Sequence, residues 1–296
     1  MNILVYANCQ TNQLVVGLHF ALFGRANVSG IAVNNPDAEV QLKSISQNKG
    51  SSAIDLVITN RNIDNIIPYF KKEMIVEIPS IHFGGFHPDV VYLSSKQAPA
   101  KPLFYLNNPT VSALALWAYI NKLPLEKTLS LYSETIFEEL GYMDYFDVAC
   151  IAIRKNYENK KIDVSYIDRH LASRSVFMYG PLHPKFAVTL SLVYGLCEKL
   201  ELKTSMPYEN INNMYPDPLQ NEYIWGCFPP IADKLGVPGS WFIRHHSQAF
   251  PMIKNYLVDF YKFLDQFEQG TIQFLERDKS KFEKFHNIDT VLARHI

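Results

Sequence analysis

Short apolar runs alternate with helical patterns through the first eighty residues, and this rhythm constrains the fold more than any other feature. Met1 to Ala7, Val28 to Val33, Ile54 to Thr59 and Met74 to Ile78 each read as a strand. Between them, Asn12 to Phe23 carries Leu14, Val15, Leu18 and Leu22 at helical spacing before Gly24. Asn34 to Ser52 is polar, a loop with some helix, and Asn62 to Lys72 reads as a short helix. Strand–helix–strand alternation implies a parallel sheet under helical cover. In such sheets, ligands bind at the carboxyl ends of the strands.

The first of those ends is Ala7-Asn8-Cys9-Gln10-Thr11. Cys9 is expected where a strand stops and a helix starts. A helix N-terminus offers free N–H groups and a positive dipole end, which favour a thiolate and an oxyanion. Cys9 is therefore a candidate nucleophile. The backbone of Gln10 and Thr11 and the side chains of Asn8 and Gln10 are candidate oxyanion donors. The competing reading is a small cysteine filling a tight turn.

The rhythm breaks at Pro79 to Leu93, which contains Phe83-Gly84-Gly85-Phe86-His87-Pro88-Asp89. Glycine lets backbone approach a ligand closely, so Gly85 is a candidate substrate contact. Proline pushes His87 into an extended conformation. His87 is a candidate base and Asp89 a candidate orienting acid, against an ordinary turn with a packed or surface histidine. His82 reads as surface. Ser175 to Tyr179 is a further strand candidate, and Leu182-His183-Pro184-Lys185 then precedes a helix from Phe186 to Leu200. His183 is the second candidate base, against a capping or packing role.

Beyond residue 101 the patterns are mainly helical. Helices are expected from Pro109-Thr110, from Pro124 to Leu140 before Gly141, over Asp147 to Asn159 and Val164 to Ala172, and over Met252 to Phe267, with a Lys/Glu-rich helix at the tail. The fold class expected is α/β, with a parallel Rossmann-like or SGNH-like sheet in the N-terminal part and a largely helical C-terminal part. Residues 1–100 form the sheet portion and 101–296 a helical portion with one or two further strands. The change is one of secondary-structure type, so a single interlocked domain over 1–296 is expected.

Composition limits the function. The chain is 48% hydrophobic with a formal net charge of −1, so it is globular and has no global basic field for nucleic acid. Four cysteines without a CxxC pair form neither a disulfide framework nor a zinc pattern. No metal is expected, and reduced thiols suit the cytoplasm. The N-terminus lacks a basic leader and no apolar stretch reaches a membrane span. Neither GxGxxG nor GxxxxGK[ST] occurs. Arg154, Arg169, Arg174 and Lys185 are either a solvated face or a local phosphate site.

Ala7-Asn8-Cys9-Gln10, Phe83 to Asp89 and Leu182-His183-Pro184, in that order, resemble the WcbI-like family of capsule and polysaccharide biosynthesis proteins, regarded as acetyltransferases. The resemblance runs to about residue 240. Ala7 stands where the family usually has Gly, and Leu182 where it often has Asn. The resemblance implies a protein that binds coenzyme A and uses acetyl-CoA to acetylate a sugar of a surface polysaccharide or its precursor. The basic residues would then hold the CoA phosphates. A thiol with neighbouring histidines suits acyl transfer. The rivals are a thiol-dependent acyl esterase, a non-catalytic CoA- or glycan-binding protein, and a set of packing turns. The oligomeric state, the sugar and the choice between His87 and His183 are not legible.

Overall fold

The computed structural model describes residues 1–246, 248–276, 278 and 287–295. In chain order, the elements begin with β1 (Asn2–Ala7), α1 (Thr11–Ala21), β2 (Asn27–Ala32), α2 (Ala38–Ser46), β3 (Leu56–Thr59) and β4 (Ile75–Glu77). Next come β5 (Val90–Ser95), β6 (Ala98–Pro102), β7 (Thr110–Ser112), α3 (Ala113–Ile120), α4 (Leu125–Ser130) and α5 (Glu134–Glu139). Then follow α6 (Tyr145–Asn159), α7 (Ser165–Leu171), β8 (Met178–Gly180), β9 (His183–Pro184), α8 (Phe186–Lys199) and α9 (Tyr208–Met214). The series closes with β10 (Ile224–Trp225), α10 (Pro229–Leu235), β11 (Ile243–His245), β12 (Gln248–Phe250), α11 (Ile253–Leu264), β13 (Ile272–Phe274) and a short helix at Ile288–Leu292. The expected Lys/Glu-rich tail helix falls mostly outside the described residues. None of the described helices is long and apolar enough to cross a membrane.

Two compact units emerge. The first comprises Met1–His82, Ile151–Ser173 and Leu182–Gln220, the second Phe83–Cys150, Arg174–Pro181 and Asn221–Ile296. In the first, the strands form the expected parallel sheet in the order β2-β1-β3-β4. β1 is internal, paired on both edges, and Ile3, Leu4, Val5 and Ala7 are wholly buried, so both its faces are covered. Successive side chains alternate in direction. Leu4 joins Ile31, Leu42, Val57, Ile66, Phe70 and Ile75 in one core. α1 comes very close to β2 at Gly30, where a Cβ would stand 2.6 Å from a Val15 methyl and 2.9 Å from the Thr11 methyl. Glycine at that position is what lets the helix settle on the sheet.

The second unit is built around β5, which pairs antiparallel with β6, β7 and β13. A separate antiparallel set, β10-β11-β12, lies downstream.

The α/β class, the N-terminal parallel sheet and the helical C-terminal region are as expected, but several elements differ from the sequence reading. No helix spans Asn62 to Lys72; short turns of 3₁₀ helix form at Ile63–Asn65 and Lys72–Met74 instead. Pro68 lies between them and cannot donate to a continuing helix. The helix expected from Pro109 starts only at Ala113, because Thr110–Ser112 pair with β5 and the Ser112 hydroxyl then caps α3 by accepting Ala115 N–H at 3.1 Å. The run from Pro124 to Leu140 splits into α4 and α5, where the Ser133 hydroxyl accepts the Ile136 N–H and starts a second helix. The strand expected over Ser175 to Tyr179 shortens to Met178–Gly180. Beyond residue 101 the described residues carry more short strands than the one or two expected. Two- and three-residue strands are too brief to show an alternating pattern.

Candidate functional site

Parallel strands deliver their carboxyl ends to one edge, and in the first unit this edge gathers four loops. The residue after β1 is Asn8 and the residue after β3 is Asn60. The two clasp each other: Asn8 N–H donates to Asn60 Oδ1 at 3.2 Å, and Asn60 Nδ2 returns a bond to Asn8 Oδ1 at 3.0 Å. Asn8 Nδ2 donates to Ser80 Oγ at 3.2 Å in the loop after β4. Gln10, wholly buried, grips that same loop and one more. Its Nε2 donates to the Ile81 carbonyl at 2.8 Å and the Leu182 carbonyl at 3.1 Å, while its Oε1 accepts Ile81 N–H at 3.3 Å. Asn156 Nδ2 holds the Ser80 carbonyl from α6 at 2.9 Å. The loop after β4 therefore reaches the Cys9 turn, as expected from its place after a strand.

Cys9 sits at the apex of this turn. Its thiol donates to the Leu182 carbonyl at 3.8 Å, and the next residue, His183, is buried in β9. Cys9 is half-buried, whereas Cys150, Cys197 and Cys227 are buried. Burial pushes the thiols of Cys197 and Cys227 up to about 11 and about 12. Both are therefore neutral and inert at neutral pH.

The expected oxyanion donors are partly committed. Gln10 N–H donates to Asn8 Oδ1 at 3.0 Å and Thr11 N–H to the Asn8 carbonyl at 3.0 Å, so these amides shape the turn. The Asn8 amide nitrogen has two hydrogens, and Ser80 takes one of them.

One layer further in, Gln13 ties α1 to the His183 segment. Its Nε2 donates to the Pro184 carbonyl at 3.0 Å and to Asp217 Oδ1 at 2.8 Å, and its Oε1 accepts from Thr189 at 2.7 Å. Asp217 Oδ2 accepts Phe186 N–H at 2.6 Å and so caps α8. The Tyr215 to Pro218 turn thus supplies a helix cap as well as a bend. Asn60, Ser80, Asn156, Gln13 and Asp217 were not singled out in the sequence. Gln13 did carry a signal, because it lies in phase with Leu14, Gly17, Leu18 and Ala21 on the buried face of α1.

His87, Asp89 and Gly85 belong to the second unit. His87 is buried, and its Nε2 lies 2.8 Å from the Trp225 carbonyl. A carbonyl can only accept, so Nε2 carries the proton and Nδ1 is the basic nitrogen of the neutral ring. Asp89 is 1% exposed and anchors the start of α3. Its Oδ1 accepts Leu114 N–H and the Tyr142 hydroxyl, each at 3.0 Å, its Oδ2 accepts the Ser112 hydroxyl, and its backbone carbonyl accepts Ala113 N–H. Burial, reinforced by Asp89, pushes the Tyr132 and Tyr142 hydroxyls well up, so both remain donors. Gly85 does not need an unusual backbone angle: its Cβ would lie 2.7 Å from the Phe83 ring and 3.0 Å from Phe146. Its smallness serves aromatic packing.

The four basic candidates have different surroundings. Arg154 is paired with Asp168 at 2.7 Å. Arg169 lies over the rings of Tyr166 and Tyr208 at 5.2 and 5.6 Å. Lys185 precedes α8, where burial lowers its ammonium pKa and Asp217 opposes the shift. Arg174 is exposed and belongs to the second unit. His82 is exposed, as read from the sequence. Among the described residues there is no group of three His, Cys, Asp or Glu side chains that could hold a metal ion.

The family model described as polysaccharide biosynthesis enzyme WcbI matches residues 54–205. The chain belongs to the WcbI family. Membership makes it one of the enzymes of polysaccharide biosynthesis. A solved structure of WcbI superposes with a TM-score of 0.66 at 14% sequence identity, covering 100% of this chain and 99% of that one. At that identity the likeness establishes the shared fold. That structure is described as the native protein without a disulfide bond between coenzyme A and one of its cysteines. No curated protein matches the sequence.

Proposed function

We propose that this WcbI-family chain is an acetyl-CoA-dependent O-acetyltransferase acting on a sugar of a capsular or other surface polysaccharide, with Cys9 as its nucleophile. The observation that carries the reading is the elbow itself. Cys9 is the one thiol of four that is not buried, and it stands at the carboxyl edge of a parallel sheet beside the His183 segment. Coenzyme A named beside a cysteine in the WcbI structure supports a thioester ligand at such a site.

In this reading His183 takes the Cys9 proton, and the sulfur attacks the acetyl carbonyl of acetyl-CoA. The bond from the acetyl carbon to the CoA sulfur breaks, and CoA leaves as the thiol with the proton from His183. A sugar hydroxyl then attacks the Cys9 thioester while His183 removes its proton, and the Cys9 thiol is restored. Asn8 Nδ2 is the oxyanion donor we assign, because Gln10 and Thr11 N–H groups hold the turn. Gln10 and Gln13 position the Leu182–Pro184 backbone. Arg169 and Lys185 are the phosphate contacts we assign in the first unit. His87 is assigned as a second base, acting through Nδ1 with Asp89 fixing its loop. We assign the chain to the cytoplasm, where acetyl-CoA is available.

The test is acetyl-CoA binding by calorimetry, together with thiol release in the presence of saccharide acceptors. Wild type should bind and turn over. Cys9→Ala should bind CoA and lose at least about 10³-fold of the turnover. A wild-type protein that fails to bind CoA would overturn the proposal.

A further inference from the structure

A cavity of about 320 Å³ opens in the second unit, and it shares no residue with the Cys9 elbow. Tyr119 from α3 and Tyr261 from α11 form one corner, with ring centroids 5.3 Å apart and planes at 71°. Both rings are pinned by their hydroxyls. Tyr119 donates to Asp265 Oδ1 at 3.0 Å, and Tyr261 shares a 2.7 Å bond with Thr128. Burial and Asp265 push the Tyr119 hydroxyl up to about 12, so it remains a donor at neutral pH. Buried Leu264 and Ile272 contribute an apolar lining. Asp265, Glu268 and Gln269 add planar polar groups, and Lys122 adds one cation.

This combination selects a ligand class. Fixed aromatic faces over an apolar lining suit a flat apolar surface. Neighbouring carboxylates and a carboxamide accept from, and donate to, adjacent hydroxyls. An apolar ligand would strand those polar groups, at a cost for each one desolvated. Two carboxylates against one lysine disfavour an anionic ligand. A pyranose ring matches on every count: its axial C–H bonds present an apolar face and its equatorial hydroxyls a polar rim. The volume lies at the lower end of ligand pockets, which suits one ring.

We propose that this cavity is a subsite for one neutral pyranose ring of the saccharide handled by the enzyme. The assignment rests on the saccharide acceptor of the proposed function and says where a ring of it docks. Pinned aromatic side chains lose little freedom on binding, which favours even a small ligand.

Saturation-transfer NMR on the full chain tests this with methyl glycosides of glucose, galactose, mannose and N-acetylglucosamine. At least one should bind with a dissociation constant on the order of millimolar, with ring C–H protons receiving the strongest transfer. Tyr119→Ala should weaken that binding by at least about tenfold, and Glu268→Ala, at an exposed position, by about threefold or more. Tyr119→Phe should keep most of it, since the ring face remains. Transfer absent for all four glycosides, or unchanged in both Tyr119→Ala and Glu268→Ala, would overturn the subsite. Coenzyme A titration of the same samples separates the two claims. Loss of the subsite leaves CoA binding intact, whereas wild type without CoA affinity defeats the acetyltransferase reading whatever the glycosides do.

Discussion

The Asn8-Cys9-Gln10 elbow follows β1 and the Phe83 to Asp89 loop comes after β4, and both carry residues of the kind that do acid–base and nucleophilic chemistry. They are built by opposite means. The elbow is held by side-chain amides: Asn8, Gln10 and Asn60 tie together four loops, and the central side chain, Cys9, stays half-open. The loop is held by aromatic rings. Phe83, Phe86, Phe146 and Phe177 pack at centroid distances of 4.9 to 5.4 Å, and Asp89 lies fully buried beneath hydroxyl and amide donors. A turn held by hydrogen bonds can present its apex, whereas a turn held by ring packing commits its aromatic side chains to the core. Chemistry-bearing residues in turns therefore divide into those a fold displays and those it uses as anchors.

The sharpest way to break this contrast is Asp89→Ala. Removing the carboxylate orphans Ser112, Tyr142 and the start of α3, and should cost roughly 3–5 kcal/mol in urea unfolding. A loss below about 1 kcal/mol would show that Asp89 is no anchor. Acid probes both units next. Burial lowers His170, in the first unit, and His245, in the second, from 6.5 to about 4. The unfolded chain then binds protons that the folded chain refuses. Stability is thus intact above pH 6.5 and falls as pH drops toward 4, by up to about 1.4 kcal/mol per pH unit for each fully buried histidine. His170 is partly open to solvent and should contribute less. The slope should flatten in His245→Asn, which urea midpoints across that window would reveal.

Gly85→Ala should cost roughly 1–3 kcal/mol by pushing a methyl into the Phe83 and Phe146 rings. Because the glycine serves packing, a thermal melt should register the change while CoA affinity does not move. Gln13→Ala has the smallest expected effect on stability, about 1–2 kcal/mol. It should nonetheless slow turnover, since Gln13 holds the Pro184 carbonyl next to His183. Unchanged kinetics in that variant would detach the inner layer from the site.

Much of the first unit was legible because β1, β2 and β3 run four to six residues, and these strands and α1 lie close to where the pattern put them. Cys9 and its turn were legible for the same reason: a strand end must be followed by something. The residues that hold the turn and the His183 segment were harder to see. Asn60 becomes visible only once β1 and β3 are known to be parallel neighbours, with Tyr6 opposite Thr59, so that the residues just beyond both strands meet. Asp217 lies more than 200 positions from Gln13, and no local pattern links them. The roles of Gly85 and Asp89 were read from residue type, which cannot tell a displayed acid from a buried one. Most strands of the second unit, β8 aside, escaped because their pairing, between distant segments such as β5 and β13, is wholly tertiary.

The central claim is that Cys9 carries the acyl group. Intact-protein mass spectrometry, after rapid mixing with acetyl-CoA and acid quenching without acceptor, tests it most directly. One acetyl adduct is expected, mapped by peptide digestion to Cys9, discharged on adding a saccharide acceptor and absent from Cys9→Ala. An unmodified Cys9 in an enzyme that still acetylates the acceptor would contradict it and assign the thiol to shaping the site.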